Sequence, residues 1–276
     1  MAALIMKGPE VSAGMKDSLI TEAAKLKPVL AIIRVGARPD DLSYERGIIK
    51  RFDSLGIKVK VHELPENISQ QEFNSEFAKI NSDSTNNGVL LFRPLPESLS
   101  DNFAVNTIDP KKDIDCMSPV NLAGVFAGDK ESFAPCTPLA VMEMLKFYGI
   151  DLAGKNIAIV GRSLILGRPL AMLMLAENAT VTICHTKTRN LQEVCKRADI
   201  IIAAAGKAKM ITPVYVNENS IIVDVGINLD ENNKLCGDVD FERVSPVVKA
   251  ISPVPGGVGA VTTSILAKNL IKAAKR

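Results

Sequence analysis

The chain has 276 residues, with 33 basic and 31 acidic side chains and a net charge of +2. This length suits one large or two moderate domains. Because the basic and acidic residues are interspersed, they form no charged patch that would bind nucleic acid or a membrane surface. No apolar run approaches about 18 residues and no signal-peptide core is visible, so the sequence predicts neither a membrane span nor export. Five scattered cysteines without a CxxC pair indicate reduced thiols in a cytoplasmic protein, with neither disulfides nor a metal site.

The first half of the chain alternates short apolar runs with amphipathic segments. Strands are predicted at 29–35, 58–62 and 88–92, and helices at 44–55 and 70–81. Cys136-Thr-Pro138 then opens a helix that runs to Tyr148, with Thr137 as the predicted N-cap. This alternation is typical of βα units around a mostly parallel sheet.

A second α/β series begins at Lys155. Strands are predicted at 157–160, 180–184, 200–204 and 221–225, and helices at 170–177, 191–196 and 261–274. A loop rich in glycine and proline, residues 253–259, precedes the last helix. We therefore expect two α/β domains with a cleft between them, since open parallel sheets bind ligands at the carboxyl ends of their strands.

The segment Asn156-Ile-Ala-Ile-Val-Gly-Arg-Ser-Leu-Ile-Leu-Gly-Arg-Pro-Leu170 passes from an apolar strand through a turn into a helix. Such a turn presents unpaired backbone N–H groups and the positive helix end, which suit a phosphate. Gly161 permits the tight turn, and Gly167 permits close approach of the backbone. Five residues separate the glycines, unlike G-x-G-x-x-G, so an ordinary strand-to-helix turn without a ligand is the alternative.

The end of the following strand favours NADP over NAD. NAD-selective sites usually place an acid there, and Cys184-His-Thr-Lys-Thr188 has none. A 2′-phosphate could instead be bound by a threonine hydroxyl and Lys187 of this segment, together with Arg162 in the first turn. Arginine suits this role because it binds phosphate bidentately. The alternative is that both cations are solvated loop charges.

Six blocks of residues occur in order and with matching spacing over nearly the whole chain: 110–115, 135–138, 161–169, 184–188, 223–228 and 253–259. Together they resemble the methylenetetrahydrofolate dehydrogenase/cyclohydrolase family. The resemblance implies a two-domain α/β fold: an N-terminal α/β catalytic domain that binds folate (1–136 plus 257–276) and a Rossmann-like NADP-binding domain (137–256). It also implies a C-terminal helix that returns to the first domain, a folate cleft, a tetrahydrofolate derivative as substrate and a homodimer.

The resemblance and the turn chemistry together assign the site residues. Tyr44 matches a tyrosine beside the folate ring, and Asp115 matches the aspartate that anchors the pterin. The loop that borders folate and nicotinamide is Pro255, Gly256, Gly257, Val258 and Gly259. The predicted cofactor-binding residues are Gly161, Arg162, Ser163, Gly167, Thr186 and Ile227.

The chain departs from the family pattern around the folate. The catalytic lysine expected four residues after Tyr44 is Ile48, and the glutamine expected to orient that lysine is Phe92. Lys50 lies two positions beyond Ile48, roughly 200° around a helix, and cannot simply replace the lysine. Cys116 stands where the family has glycine after the anchoring aspartate.

The two family reactions make different demands. Hydride transfer from the methylene carbon needs close stacking of the reacting carbons and no obligatory proton donor. Hydrolysis of the methenyl group moves protons at two stages, and a general acid–base group typically contributes about 10²–10⁴-fold. The sequence therefore predicts reversible NADP-dependent oxidation of methylenetetrahydrofolate to methenyltetrahydrofolate, with weak or lost cyclohydrolase activity.

Three alternatives stay open from the sequence. The first is a bifunctional enzyme in which Lys50 or a water chain replaces the lysine. The others are a non-catalytic protein that binds NADP or folate, and a dehydrogenase for another small substrate. If the folate pocket has been repurposed or lost, Tyr44 is only a half-buried helix aromatic, and Asp115 only a turn-forming or capping aspartate.

Overall fold

The computed structural model describes residues 2–276, which form two α/β units. The three-stranded unit comprises residues 15–136 and 263–276, and the six-stranded unit comprises the described residues to 14 together with 137–262. The strands are β1 Leu4–Ile5, β2 Val29–Val35, β3 Lys58–Leu64, β4 Gly88–Leu91, β5 Asn156–Val160, β6 Thr180–Cys184, β7 Ile200–Ala203, β8 Ile221–Asp224, β9 Asn228–Leu229, β10 Leu235–Cys236 and β11 Ala250–Ile251. The helices are α1 Gly8–Leu26, α2 Pro39–Asp53, α3 Gln70–Ser82, α4 Asn102–Thr107, α5 Pro119–Ala127, α6 Cys136–Phe147, α7 Gly167–Ala176, α8 Leu191–Lys196, α9 Phe241–Val244 and α10 Gly259–Ala274.

The sheet of the three-stranded unit is parallel, in the order β3-β2-β4. Its central strand β2 is buried along nearly its whole length, which explains why all of its residues except Arg34 are apolar. Phe73 and Phe77 of α3 pack fully buried in the core of this unit. Ile33 of β2 pairs with Leu91 of β4, so Phe92 lies at the carboxyl edge of this sheet.

The main sheet of the six-stranded unit is also parallel, in the order β1-β11-β8-β7-β5-β6. Val160 of β5 pairs with both Cys184 of β6 and Ala203 of β7, and Ala203 pairs with Asp224 of β8. Four strands therefore end at one edge. The chain leaves β5 to one side to form β6 and then crosses to the other side to form β7. The carboxyl end of β5 is thus the topological switch point, where open α/β sheets bind ligands.

The α/β fold and the returning C-terminal helix are confirmed. The bounds predicted for β2, β6 and α8 are those of the structure, whereas α2 begins at Pro39 and α7 at Gly167, several residues before their predicted starts. Each of these helices has proline in its first turn, where a missing N–H costs no hydrogen bond. The proline and glycine residues in the first turns of α2 and α7 therefore explain why the sequence predicted later starts for these two helices.

The N-terminal segment differs from its predicted grouping. The sequence predicts no element before β2, yet α1 buries Val11, Met15, Leu19 and Ala23 at four-residue spacing. Leu4 of β1 pairs with Ala250 of β11, so the described residues up to 14 belong to the six-stranded unit and not with residues 15–136. A two-residue strand has no periodicity to detect, and only its distant partner reveals it.

A buried arginine ties α2 to the sheet of its unit. Arg34 of β2 contacts Glu45 of α2 at 2.8 Å and Glu63 of β3 at 3.1 Å, with side-chain exposures of 4 %, 13 % and 64 % respectively. Glu45→Ala is expected to lower the free energy of unfolding by about 3 kcal/mol, because it leaves the buried guanidinium with the Gly36 carbonyl and only one carboxylate, that of the exposed Glu63. Glu63→Ala is the control and should cost less than about 1 kcal/mol. Urea unfolding measures both; equal effects would contradict the assignment.

Within residues 2–276, no helix has both the length and the apolar character needed to cross a membrane.

Candidate functional site

The turn after β5 is tightly built around its two glycines. Gly161 has a φ of 145°, and its N–H donates to the Cys184 carbonyl at 2.9 Å. A Cβ at Gly161 would overlap the carbonyl of Ala204, and one at Gly167 would overlap the carbonyl of Gly161 itself. Both positions thus exclude any side chain, and the ends of β5, β6 and β7 approach closely there.

This turn leaves a row of backbone donors unused. Across residues 2–276, no protein acceptor is bonded to the backbone N–H groups of residues 162–166. These residues lead directly into the 10-residue helix α7, whose positive end lies at Gly167. Unpaired N–H groups at the start of a helix and at the switch point of a parallel sheet fit a phosphate or pyrophosphate.

The cations predicted to favour NADP are accessible. Arg162 is exposed in the turn, and Thr186 and Lys187 are exposed after β6. The β6 turn is ordered by its own hydrogen bonds: the His185 N–H donates to Thr188 Oγ1 at 2.8 Å, and the Lys187 N–H donates to His185 Nδ1 at 3.1 Å. Ile227, which follows β8 on the same edge, is 74 % exposed.

Two buried carboxylates lie at this edge that are not among the residues predicted from the sequence. Asp224 at the end of β8 and Asp238 after β10 are 3 % and 0 % exposed, and both accept several backbone hydrogen bonds. Burial raises the pKa of Asp224 to about 6, against the backbone N–H groups that favour its ionised form. The available signal was an aspartate that directly ends an apolar strand, followed by Gly-Asp-Val-Asp at 237–240.

The glycine-rich loop before α10 is anchored on α1. The N–H of Gly8 donates to the Gly256 carbonyl at 2.8 Å, and Gly256 has a φ of 93°. A Cβ on Gly8 would overlap the Gly257 carbonyl, and one on Gly257 would overlap the Pro253 carbonyl. Pro255 follows a cis peptide bond, Val258 is buried, and Gly259 begins α10.

In the three-stranded unit, α2 carries Tyr44 and Ile48 one turn apart. Tyr44 is 40 % exposed, whereas Ile48 is fully buried and Phe92 is 5 % exposed. The rings of Tyr44 and Phe92 lie 5.4 Å apart between centroids. Lys50 is exposed on α2, while Ile48 is buried, as expected for two residues two positions apart on a helix. Apolar side chains therefore occupy the places predicted for the catalytic lysine and its glutamine.

The charge of Asp115 acts on Tyr44. Desolvation by the surrounding protein and the negative charge of Asp115 raise the pKa of Tyr44. Desolvation also raises the pKa of Asp115, opposed by a hydrogen bond that its Oδ1 accepts from the Cys136 N–H at 3.0 Å. The phenol is therefore neutral at pH 7 and can donate a hydrogen bond.

Thr137 is not the N-cap of α6, contrary to the prediction. The helix begins at Cys136, and the Asp115 carboxylate accepts the N–H of that residue. A capping acceptor supplied from 21 positions earlier in the chain leaves no local signal. Asp115 thus acts as a cap, which is one of the two structural roles that the sequence allows for it. The same carboxylate also acts on Tyr44 through its charge.

A second aspartate shapes the loop that carries Asp115. Asp113 is 1 % exposed and accepts the N–H groups of Met117 at 2.8 Å and Ser118 at 2.9 Å. Cys116 has a φ of 58°, the left-handed region that favours glycine. The backbone at Cys116 therefore has a conformation in which glycine is the preferred residue.

Two family models cover most of the chain. Residues 6–115 match the tetrahydrofolate dehydrogenase/cyclohydrolase catalytic domain, and residues 135–276 match the NAD(P)-binding domain of the same family. The chain belongs to the tetrahydrofolate dehydrogenase/cyclohydrolase family. The resemblance stated from the motifs is thus confirmed, and with it the chain's place among folate-dependent oxidoreductases with an NAD(P)-binding domain.

Individual members of the tetrahydrofolate dehydrogenase/cyclohydrolase family align over the whole chain. The Bifunctional protein FolD of Clostridium botulinum is 51% identical over 99% of this chain and 99% of its own. A crystal structure of the bifunctional FolD enzyme from Campylobacter jejuni has a TM-score of 0.96 at 40% identity and covers 99% of both chains. That of the Trypanosoma brucei enzyme, complexed with NADP cofactor and inhibitor, has a TM-score of 0.93 at 32% identity and covers 100% of this chain and 98% of its own.

Proposed function

We propose that this enzyme catalyses the reversible NADP-dependent oxidation of methylenetetrahydrofolate to methenyltetrahydrofolate, with weak or no hydrolysis of the product. The observation that carries the proposal is the contrast between the two sites. The turn at 161–167 retains unpaired donors for phosphate, whereas Ile48 and Phe92 put apolar side chains where the family has its lysine and glutamine.

The dehydrogenase step needs little beyond binding and orientation. NADP, when bound, supplies the nicotinamide that accepts the hydride, and the adjacent folate nitrogen stabilises the resulting cation. We assign the phosphates to the N–H groups of 162–166 and the 2′-phosphate to Arg162, with Thr186 and Lys187. Tyr44 packs on the folate and Asp115 binds the pterin, while the loop 255–259 borders both ligands. The NADP complex of the Trypanosoma brucei enzyme supports this choice of cofactor.

The hydrolytic step lacks a proton carrier. Water attack on the methenyl carbon and cleavage of the C–N bond both move protons, which a positioned amine carries best. Ile48 has no titratable group, Lys50 is exposed on α2, and the raised pKa of Tyr44 makes its neutral phenol an unsuitable base at pH 7.

The decisive experiment is a paired assay of the purified enzyme with methylenetetrahydrofolate and methenyltetrahydrofolate, using NADP and NAD in turn. We expect turnover with NADP and hydrolysis near the buffer rate. Rapid enzymatic hydrolysis would refute the monofunctional part of the proposal. Cofactor binding without turnover would instead favour a non-catalytic protein, and turnover that folate fails to inhibit would indicate another substrate.

A bifunctional enzyme is the second candidate, and the name of the Clostridium botulinum relative favours it. At 51% identity over nearly the whole chain, that relative shares most of the scaffold. If Lys50 or a water chain moves the protons in this chain, Lys50→Met should abolish hydrolysis and leave oxidation intact.

Arg162 is expected to discriminate the cofactors. Arg162→Ala should raise the KM for NADP by about 10- to 100-fold, the value of a lost charge-assisted hydrogen bond, and change the KM for NAD little. Arg168→Ala is the control, because Arg168 Nε donates to the Arg162 carbonyl at 3.1 Å. This variant loses that contact with the turn backbone but keeps the Arg162 guanidinium. Equal losses with NADP and NAD would remove Arg162 from the 2′-phosphate site.

We further propose that the enzyme is a cytoplasmic homodimer. All five cysteines are free thiols, which suits a reducing compartment. Light scattering of the purified enzyme tests the dimer.

A further inference from the structure

Asp238 holds the loop after β7 in one conformation. Its fully buried carboxylate accepts the N–H groups of Ala205, Gly206 (3.0 Å) and Lys207 (2.8 Å). It also accepts Nδ2 of Asn228 at 2.9 Å, and Asn228 directly follows the exposed Ile227 after β8. One side chain thereby cross-links the loops that follow two neighbouring strands.

Asp224 holds Asp238 in place. Its carboxylate accepts the N–H groups of Gly226 at 2.9 Å, Asp238 at 3.0 Å and Val239 at 2.9 Å. Its own N–H donates to Ser252 Oγ at 2.8 Å. The packing leaves no space for side chains, since a Cβ on Gly226 would overlap the carboxylate of Asp238.

These bonds divide the carboxyl edge of the sheet into two kinds of surface. The N–H groups of 205–207 are all occupied by Asp238 and offer nothing to a phosphate. The N–H groups of 162–166, in the turn that follows β5, have no protein acceptor within residues 2–276. In doubly wound folds the two halves of a dinucleotide lie on opposite sides of the switch point, here the end of β5. The phosphate-rich adenosine half therefore fits the β5–β6 side, and the nicotinamide half fits the β7–β8 side.

We propose that Asp238 is a positioning residue for the nicotinamide half of the cofactor. It acts through the backbone of residues 205–207 and the side chain of Asn228, and it leaves the adenosine half to the turn at 161–167. This inference rests on the proposed use of NADP.

The test compares two ligands on the Asp238→Asn variant. An amide replaces one acceptor oxygen by a donor that faces backbone N–H groups, so the loop must move. Fluorescence titration should show an NADPH Kd raised by about tenfold or more, as for a lost charge-assisted hydrogen bond. The Kd of adenosine 2′,5′-bisphosphate, which carries only the adenosine half, should stay within about twofold of the unaltered enzyme, since its contacts are not touched.

A matched substitution at the opposite edge separates positioning from general destabilisation. Asp199 Oδ2 accepts the Asn156 N–H at 2.8 Å at the amino end of β5. Asp199→Asn should lower the Tm and leave both Kd values unchanged. Asn228→Ala removes a single hydrogen bond to Asp238 and keeps the hydrogen bonds between Asp238 and residues 205–207. It should raise the Kd of NADPH by a few fold and leave the Kd of adenosine 2′,5′-bisphosphate unchanged. This variant provides the test if Asp238→Asn does not fold.

Unchanged affinities for both ligands, or equal losses of both, would overturn the positioning role. Failure of the proposed function looks different: the unaltered enzyme would bind NADPH yet not oxidise methylenetetrahydrofolate, and the ligand comparison would still decide the role of Asp238.

Discussion

The double variant Ile48→Lys, Phe92→Gln is expected to hydrolyse methenyltetrahydrofolate about 100-fold faster than the unaltered enzyme, the lower range for a positioned acid–base group. Ile48 lies one helical turn from Tyr44 and is fully buried, so an amine there would be shielded from bulk water next to the phenol. Desolvation lowers the pKa of a buried lysine and brings it into the range useful for proton transfer near neutral pH. The reaction is followed as the loss of methenyltetrahydrofolate absorbance above the buffer rate.

The control for this gain is the apolar pair Ile48→Met, Phe92→Leu, which changes the packing of the same two positions and adds no proton carrier. Its hydrolysis should stay at the level of the unaltered enzyme. The double variant is also expected to unfold at lower urea concentration than the control, because it places polar groups in an apolar environment. A folded, dehydrogenase-active double variant with no gain would show that hydrolysis is not limited by these two positions.

Gly167→Ala is expected to raise the Kd of NADPH by at least about tenfold and to lower the free energy of unfolding by about 1–3 kcal/mol, as for overpacking of a filled site. The new methyl group would overlap the Gly161 carbonyl and come within 3.0 Å of Arg162 Cα, so the turn must open. Opening the turn moves the N–H groups of 162–166 away from a common phosphate. Fluorescence titration and urea unfolding measure the two effects separately.

The same chemical change at Gly47 provides the control. Gly47 lies within α2, and a Cβ there would meet no atom within 4 Å. Gly47→Ala should stabilise the enzyme by about 0.5–1 kcal/mol through helix propensity and leave the NADPH affinity unchanged. If Gly167→Ala binds NADPH as tightly as Gly47→Ala, the turn is not the phosphate site.

The apolar run of β2 allowed its bounds to be predicted from the sequence, because a buried parallel strand needs mostly apolar residues whatever its partners. The bounds of β6 were predicted as well, although it is an edge strand whose residues alternate between exposed and partly buried. The tight turn at Gly161 and Gly167 was predicted in the same way, since the constraints on a tight turn are local, whereas the role of Arg162 stays a prediction. The sequence also shows that the residue four positions after Tyr44, on the same face of the helix, is Ile48 and carries no amine.

Contacts between residues distant in the chain had no such signal. Three such contacts join segments that are 21 or more residues apart. They are the capping of Cys136 by Asp115, the pairing of β1 with β11, and the hydrogen bonds that Asp238 accepts from residues 205–207. Each is a hydrogen bond whose partner is selected by the path of the backbone, so no periodicity records it. The sequence by itself determined the chemistry available to this enzyme, and the tertiary structure decided which carboxylates hold its loops in place.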